Sequence, residues 1–260
     1  MQIILNSLVI SYERYSSRNN LAQRNLILLH GWGCDSSIWN NILDDLAISA
    51  NVIVLDLPGF GASSAPKTAF KVVDYVNIVS LFIQKLNLNN VTMLGHSFGG
   101  RVAIKYASLF PEQVSRLILV APAGITINKH CFKNFCYKIV AKIGNIIFSL
   151  PVLNRYRDQA RRKFYKQIDS VDYINSGILK ETFLNVINED LSPDASRVTA
   201  QTVIIYGVDD KDVELESVRR LCDLIKNSEL KILENAGHFP WLGQKEKFIM
   251  LIKLILNFES

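Results

Sequence analysis

One hydroxyl, that of Ser97, is boxed by glycines in Gly95-His96-Ser97-Phe98-Gly99, where a β-branched, apolar run gives way to a helical pattern. A serine on a sharp turn between strand and helix stands clear of the backbone, and such a turn needs small neighbours. The hydroxyl is a weak nucleophile until a base takes its proton, so a histidine, and a carboxylate to orient it, must come from elsewhere in the chain. Of the four histidines, His238 in ENAGHFPW follows Gly237 and the last strand-like run, where a loop can carry its imidazole back over Ser97. The carboxylate is expected after TVIIYG, where GVDDKD offers Asp209, Asp210 and Asp212; sequence physics does not choose among them. Glycine and serine are turn residues in any protein, so the motif gains its meaning from the company of these other groups.

Attack by a serine places negative charge on the substrate oxygen, and the site needs donors aimed at it. The N–H of Phe98 opens the helix after the serine, where backbone amides lack intrahelical partners. A second donor is expected from HGWGCD, residues 30–35, where Gly31 and Gly33 permit close backbone approach and Trp32 supplies its amide. The Trp32 indole, Phe60, Phe98 and Phe239 are candidates for the pocket wall, although aromatic residues also serve as core.

These groups need a scaffold that brings distant segments to one edge. Short runs rich in Val, Ile and Leu recur at 25–30, 51–56, 90–95, 116–121, 202–207 and 230–235. Without strict alternation they read as strands covered on both faces, as in a parallel sheet. Helical patterns at 37–47, 69–86, 98–110 and 216–226 lie between them, and MQIILNSLVISYERY reads as a pair of strands. The expected class is therefore α/β, a mostly parallel central sheet flanked by helices. The rhythm breaks after LILVAPAG, and the long interval before TVIIYG is expected to hold a helical lid. That divides the chain into a first core segment 1–121, a lid insertion 122–198 and a second core segment 199–260.

At 260 residues, with 49% hydrophobic and 20% charged residues, the chain is long enough for a substantial core and is not of disordered composition. No apolar run approaches the length of a membrane-spanning helix, and the amino terminus does not resemble an export signal, so a cytoplasmic location is expected. Cys34, Cys131, Cys136 and Cys222 are scattered and show no metal-ligand spacing, and we read them as reduced thiols. Neither a metal nor an organic cofactor is expected. The net charge of +5 matches the excess in residues 125–200, where twelve Lys or Arg meet seven Asp or Glu. Basic residues cluster in NRYRDQARRKFYK, 154–166, as a solvated helix face or a docking surface for acyl carrier protein or an anionic lipid surface. No nucleic-acid motif accompanies the charge.

Taken together, LLHGWGCDSSIW, VLDLPGFGASS, LGHSFGGRVAIKYASLFPEQV, LILVAPAG, IIYGVDD and NAGHFPWL resemble, in order, the segments of the α/β-hydrolase superfamily, in particular its lid-bearing serine esterases. The resemblance covers nearly the whole chain outside the insertion. It implies Ser97 as nucleophile, His238 as general base and then acid, and Asp210, last in a G-x-x-D pattern from Gly207, as the carboxylate. It also implies an oxyanion hole from the Trp32 and Phe98 amides. Serine at position 97 argues against the aspartate-nucleophile branches, and HGWG with a basic lid is similar to esterases acting on pimeloyl methyl ester held on acyl carrier protein. Asp56, in the DLPGFGAS segment, reads as a loop organiser.

The expected activity is hydrolysis of a carboxylic ester, or a thioester, through an acyl-serine intermediate. The same residues would serve an acyltransferase, a C–C hydrolase or a lyase, since fold analogy does not decide among these. A non-catalytic ligand-binding protein on this fold would be expected to have lost at least one of Ser97, Asp210 and His238.

Overall fold

The computed structural model describes residues 1–18, 24–125 and 177–257. β1 (Gln2–Leu5) and β2 (Leu8–Tyr15) form an antiparallel hairpin through Asn6 and Ser7, both at positive φ. Then follow β3 (Asn25–Leu29), the short α1 (Leu43–Leu46), β4 (Asn51–Leu55), α2 (Val72–Lys85), β5 (Val91–His96), α3 (Phe98–Leu109) and β6 (Val114–Val120). The chain re-enters at α4 (Lys180–Asn188) and α5 (Ser192–Ala195), then forms β7 (Gln201–Gly207), α6 (Leu215–Leu224), β8 (Ser228–Leu233), α7 (Pro240–Gly243) and α8 (Lys245–Asn257).

The eight strands lie in the order β1-β2-β4-β3-β5-β6-β7-β8, antiparallel only in the pairs β1-β2 and β2-β4. Along β3, Ile27 and Leu29 pack on the α2–α3 side of the sheet, while Leu26 and Leu28 pack on the side of α1 and α8. All four are fully buried, which is why the central strands show no polar alternation. Each such side chain contributes on the order of 1.5–3 kcal/mol. In α2 the apolar positions Val72, Val76, Val79 and Ile83 recur at helical spacing and are buried, and the Asp74 carboxylate accepts the Lys71 N–H at 2.7 Å across the first turn.

One reading is corrected. The stretch 37–47 is not one helix but a 3₁₀ turn at Ser36–Trp39 followed by α1. Asn40 and Asn41 interrupt it, and Trp39 sinks against Trp241, their rings 4.4 Å apart. Asparagine competes with helical backbone bonding, so the break falls where the tertiary contact requires it. The described chain ends in α8, a helix that the patterns above did not include, with Phe248, Ile249, Ile252 and Leu256 buried.

β6 and β7 are parallel neighbours, Leu119 beside Ile204, although the insertion separates them in sequence. Of the expected lid, residues 126–176 lie outside the described residues, and with them His130, Cys131, Cys136 and the basic stretch 154–166. The returning part, α4 and α5, is held on one face of α3 by side chains at i, i+4 and i+7. Arg101 Nη1 donates to the Val186 and Glu189 carbonyls, both at 2.9 Å. Lys105 Nζ lies 2.7 Å from Glu189 and 3.0 Å from Asp194, and Ser108 Oγ donates to Asp194. Among the described residues no helix is long and apolar enough to cross a membrane.

Candidate active site

β5 ends beside Val120 of β6, and the next residue, Ser97, takes φ +49°, ψ −107° before α3 begins. A non-glycine residue rarely adopts this conformation, at a cost of about 1–3 kcal/mol. The flanking glycines hold it there. A Cβ on Gly95 would stand 2.4 Å from the Gly99 carbonyl oxygen, and one on Gly99 would stand 2.2 Å from the Leu29 carbonyl oxygen. The start of α3 is thus pressed against the end of β3, and only glycine fits. The turn is tied by the Ser97 N–H to Val120 O at 3.0 Å.

His238 arrives on the loop after β8. Gly207, the last residue of β7, admits that loop, since a Cβ there would lie 2.3 Å from the Ala236 carbonyl oxygen. His238 Nδ1–H donates to Asp210 Oδ2 at 2.9 Å, and the other oxygen of Asp210 accepts the N–H groups of Asp212 (2.8 Å) and Val213 (3.0 Å). A carboxylate can only accept, so Nδ1 carries a proton, and in the neutral imidazole the lone pair is on Nε2. The side chain of Asp210 is fully buried, that of His238 13% exposed. Of the three candidate aspartates, Asp210 alone meets the imidazole. Asp212 Oδ2 stands 3.9 Å from Nδ1 with its side chain 68% exposed, and Asp209 is exposed, its backbone N–H given to Ala236 O. Donor atoms of Asp210, Asp212 and His238 lie within 4.8 Å of one another, but both Asp210 oxygens are already engaged, so the cluster serves to orient the imidazole.

Two further histidines support these loops. His96 Nε2–H donates to the His238 carbonyl at 3.0 Å, and its ring lies 4.7 Å from the His238 ring. Burial first, and then His238, push the His96 imidazole well below the ordinary histidine range, so it is neutral. His30, also neutral through burial, donates from Nδ1 to Gly31 O at 2.8 Å and accepts the Leu57 N–H on Nε2 at 3.0 Å. Asp56 organises its loop as expected: its carboxylate accepts the N–H groups of Ser36 (2.8 Å) and Ala62 (2.9 Å), joining the segment after Trp32 to the DLPGFG turn.

Ser97 and His238 line one cavity of about 760 Å³, as do Trp32, Phe60, Phe98 and Phe239. Trp32 contacts Phe60, Phe98 and Phe183 edge-on or tilted at 4.9–5.2 Å. Sequence reasoning did not single out Leu179, Phe183, Val186 and Ile187, which close the same cavity from α4 and the turn before it. Their only signal was helical spacing in YINSGILKETFLNVI, which says that they pack and not on what. Arg101 also lines the cavity, its guanidinium brought down to about 10 by burial and still charged at neutral pH. Cys34 and Cys222 are not joined in a disulfide.

A mostly parallel eight-stranded sheet, with a strained serine at the end of its fifth strand and an aspartate–histidine pair after its seventh and eighth, defines the α/β-hydrolase fold. The comparisons agree. Residues 24–135 match a family model described as alpha/beta hydrolase fold. An uncharacterised protein of Mycobacterium tuberculosis is 26% identical over 258 residues, covering 89% of this chain and 75% of that one. Monoacylglycerol lipase ABHD6 of Mus musculus is 24% identical over 265 residues, covering 94% and 78%. Among solved structures, the enol-lactonase from Burkholderia xenovorans superposes with a TM-score of 0.76 at 17% identity, covering 99% of this chain and all of that one. The chain has the α/β-hydrolase fold.

Proposed function

We propose that the protein is a serine hydrolase that cleaves a carboxylic ester through an acyl-serine intermediate. The observation that carries this reading is the hydrogen bond from His238 Nδ1 to buried Asp210, on an imidazole that shares a cavity with the strained Ser97. With Nδ1 committed to Asp210, Nε2 is the nitrogen left to take the Ser97 proton. Ser97 Oγ then bonds to the ester carbon, and the carbonyl oxygen takes up negative charge beside the backbone amides of Phe98 and Trp32; one such donor is worth about 3 kcal/mol. As the bond to the alcohol oxygen breaks, His238 returns the proton to that oxygen. Water attacks the acyl-serine by the same route, and the acid leaves.

The relatives favour the ester over other substrates of the fold. The mouse relative is named for cleaving monoacylglycerols and the structural neighbour for cleaving an enol-lactone, and both substrates are carboxylic esters. The aromatic wall of Trp32, Phe60, Phe98 and Phe183 suits an apolar acyl group.

A fluorophosphonate probe tests the reading. Wild-type protein is expected to label at Ser97 and to hydrolyse short nitrophenyl esters, with labelling abolished in Ser97→Ala. Equal, weak labelling of both proteins and no ester turnover would refute it.

A further inference from the structure

Apart from the histidines, two charged side chains border the Ser97 cavity among the described residues, and they stand on different walls. Asp212 lies beside His238, its Oδ2 3.9 Å from Nδ1. Arg101 belongs to the wall that α3 and α4 share, where its Nη1 donates to the Val186 and Glu189 carbonyls, both at 2.9 Å. Its backbone N–H reaches the Ser97 carbonyl at 3.3 Å, so the two residues are one helical turn apart, roughly 6 Å along the axis. Side chains on a helix lean toward its amino terminus, which carries the guanidinium back toward the Ser97 end.

The two carbonyl bonds do not account for a guanidinium. They take two N–H groups, which an uncharged amide also offers, whereas arginine brings a charge and three further N–H groups on Nε and Nη2. Neither of these nitrogens has a hydrogen-bond partner among the described residues, and neither is fully buried. The carboxylates closest in the chain to its two acceptors are engaged elsewhere: Glu189 pairs with Lys105, and Asp194 with Lys105 and Arg197. A cation largely withdrawn from water without an ion pair is costly, and on a cavity wall that cost is offset by an anion that arrives with the ligand.

The placement of the two charges says which half of an ester would carry that anion. The alcohol oxygen faces His238 Nε2, because that nitrogen protonates it, so the leaving alcohol lies on the His238 side, where Asp212 would repel an anion. The acyl chain is left with the wall of Phe60, Leu179, Phe183 and Val186, and Arg101 is the cation on that wall.

We propose that Arg101 is the subsite for a carboxylate on the acyl half of the substrate, and that the substrate is a half-ester of an aliphatic dicarboxylic acid. This rests on the ester-hydrolase reading and names the acyl class for it. A carboxylate that accepts charged N–H groups from Nε and Nη2 uses the fork that arginine offers and lysine does not, a gain of roughly ten- to hundredfold over an uncharged group.

The test is a series of monomethyl esters of straight-chain dicarboxylic acids, from succinic to suberic, each measured against the methyl ester of the same length that ends in a carboxamide. In wild-type protein the ratio of kcat/KM, acid over amide, is expected to reach at least about tenfold at one or more chain lengths. In Arg101→Gln the ratio is expected to fall to near one, and in Arg101→Lys to fall partway, by roughly threefold or more. Arg197→Gln removes a positive charge outside the cavity, on a side chain 58% exposed, and is expected to keep the wild-type ratio. A wild-type ratio near one at every length, or a ratio left unchanged by either substitution at Arg101, overturns the subsite while Ser97 labelling and turnover of neutral esters stand. Equal losses on both ester series in Arg101→Gln are such an unchanged ratio, and would confine Arg101 to holding α4. Absence of labelling and of all ester turnover in wild-type protein overturns the hydrolase reading and the subsite with it.

Discussion

The turn that carries Ser97 and the loop that carries His238 meet at one cavity, yet they are placed by different forces. Ser97 is held by exclusion: carbonyl oxygens of Gly99 and Leu29 stand where a Cβ at residue 95 or 99 would have to go. His238 is held largely by directional hydrogen bonds, from its ring to Asp210 and from His96 to its backbone carbonyl. Steric placement tolerates almost no change. Polar placement degrades in steps, because a lost hydrogen bond costs a definite and smaller amount. The nucleophile should therefore fail together with the fold, and the base should fail by itself.

The most severe break is expected from Gly99→Ala. With 2.2 Å to a backbone oxygen in a central strand, the added methyl forces β3 and α3 apart, and we expect a loss above about 4 kcal/mol, read as a collapse in folded yield or melting temperature. Asp210→Asn tests the other side of the comparison. It should leave the melting temperature nearly unchanged and lower kcat by roughly 10³–10⁴-fold, since the amide no longer enforces the tautomer with the proton on Nδ1. An Asp210→Asn variant that unfolds, or a fully active Gly99→Ala, would reverse the assignment of forces.

A milder effect follows from the neutral histidines beneath the two loops. His30 and His96 have folded-state values below the ordinary 6.5, so below that pH the unfolded chain binds more protons than the folded one. Stability then rises with pH in that window and is lost on acidification through it, by up to about 1.4 kcal/mol per pH unit for each histidine. Protonating His96 would place the proton on Nδ1, which is buried without a hydrogen-bond partner. Melting curves between pH 7 and 5 should show the fall, and His96→Gln should lessen it. The smallest effect is expected at Asp212, 3.9 Å from the imidazole and largely solvated: Asp212→Asn should change kcat/KM by no more than about threefold.

Much of this arrangement was legible before any coordinates. Five of the strands announce themselves as apolar runs because both of their faces are covered, while the sixth, the edge strand β8, is mostly part-buried or exposed; the order of serine, aspartate and histidine follows from the strand ends that carry them. Less legible were features that depend on what lies opposite. The break at Asn40–Asn41 answers to Trp241, two hundred residues away, and the apolar face of α8 cannot be read from a stretch that is apolar almost throughout. The resemblance to the superfamily pointed to Asp210; the residues GVDDKD did not, because three adjacent carboxylates differ only in where the loop turns them.

The chain by itself determined which chemical groups are available and which backbone positions must lack a side chain: one serine between glycines, one histidine after the last strand, and glycine wherever two loops touch. Those are local properties, written in residue type and spacing. Tertiary structure decided which carboxylate meets the imidazole and that α4 supplies a wall of the cavity. These depend on the approach of segments far apart in sequence, where a shift of about one ångström decides whether a hydrogen bond forms at all.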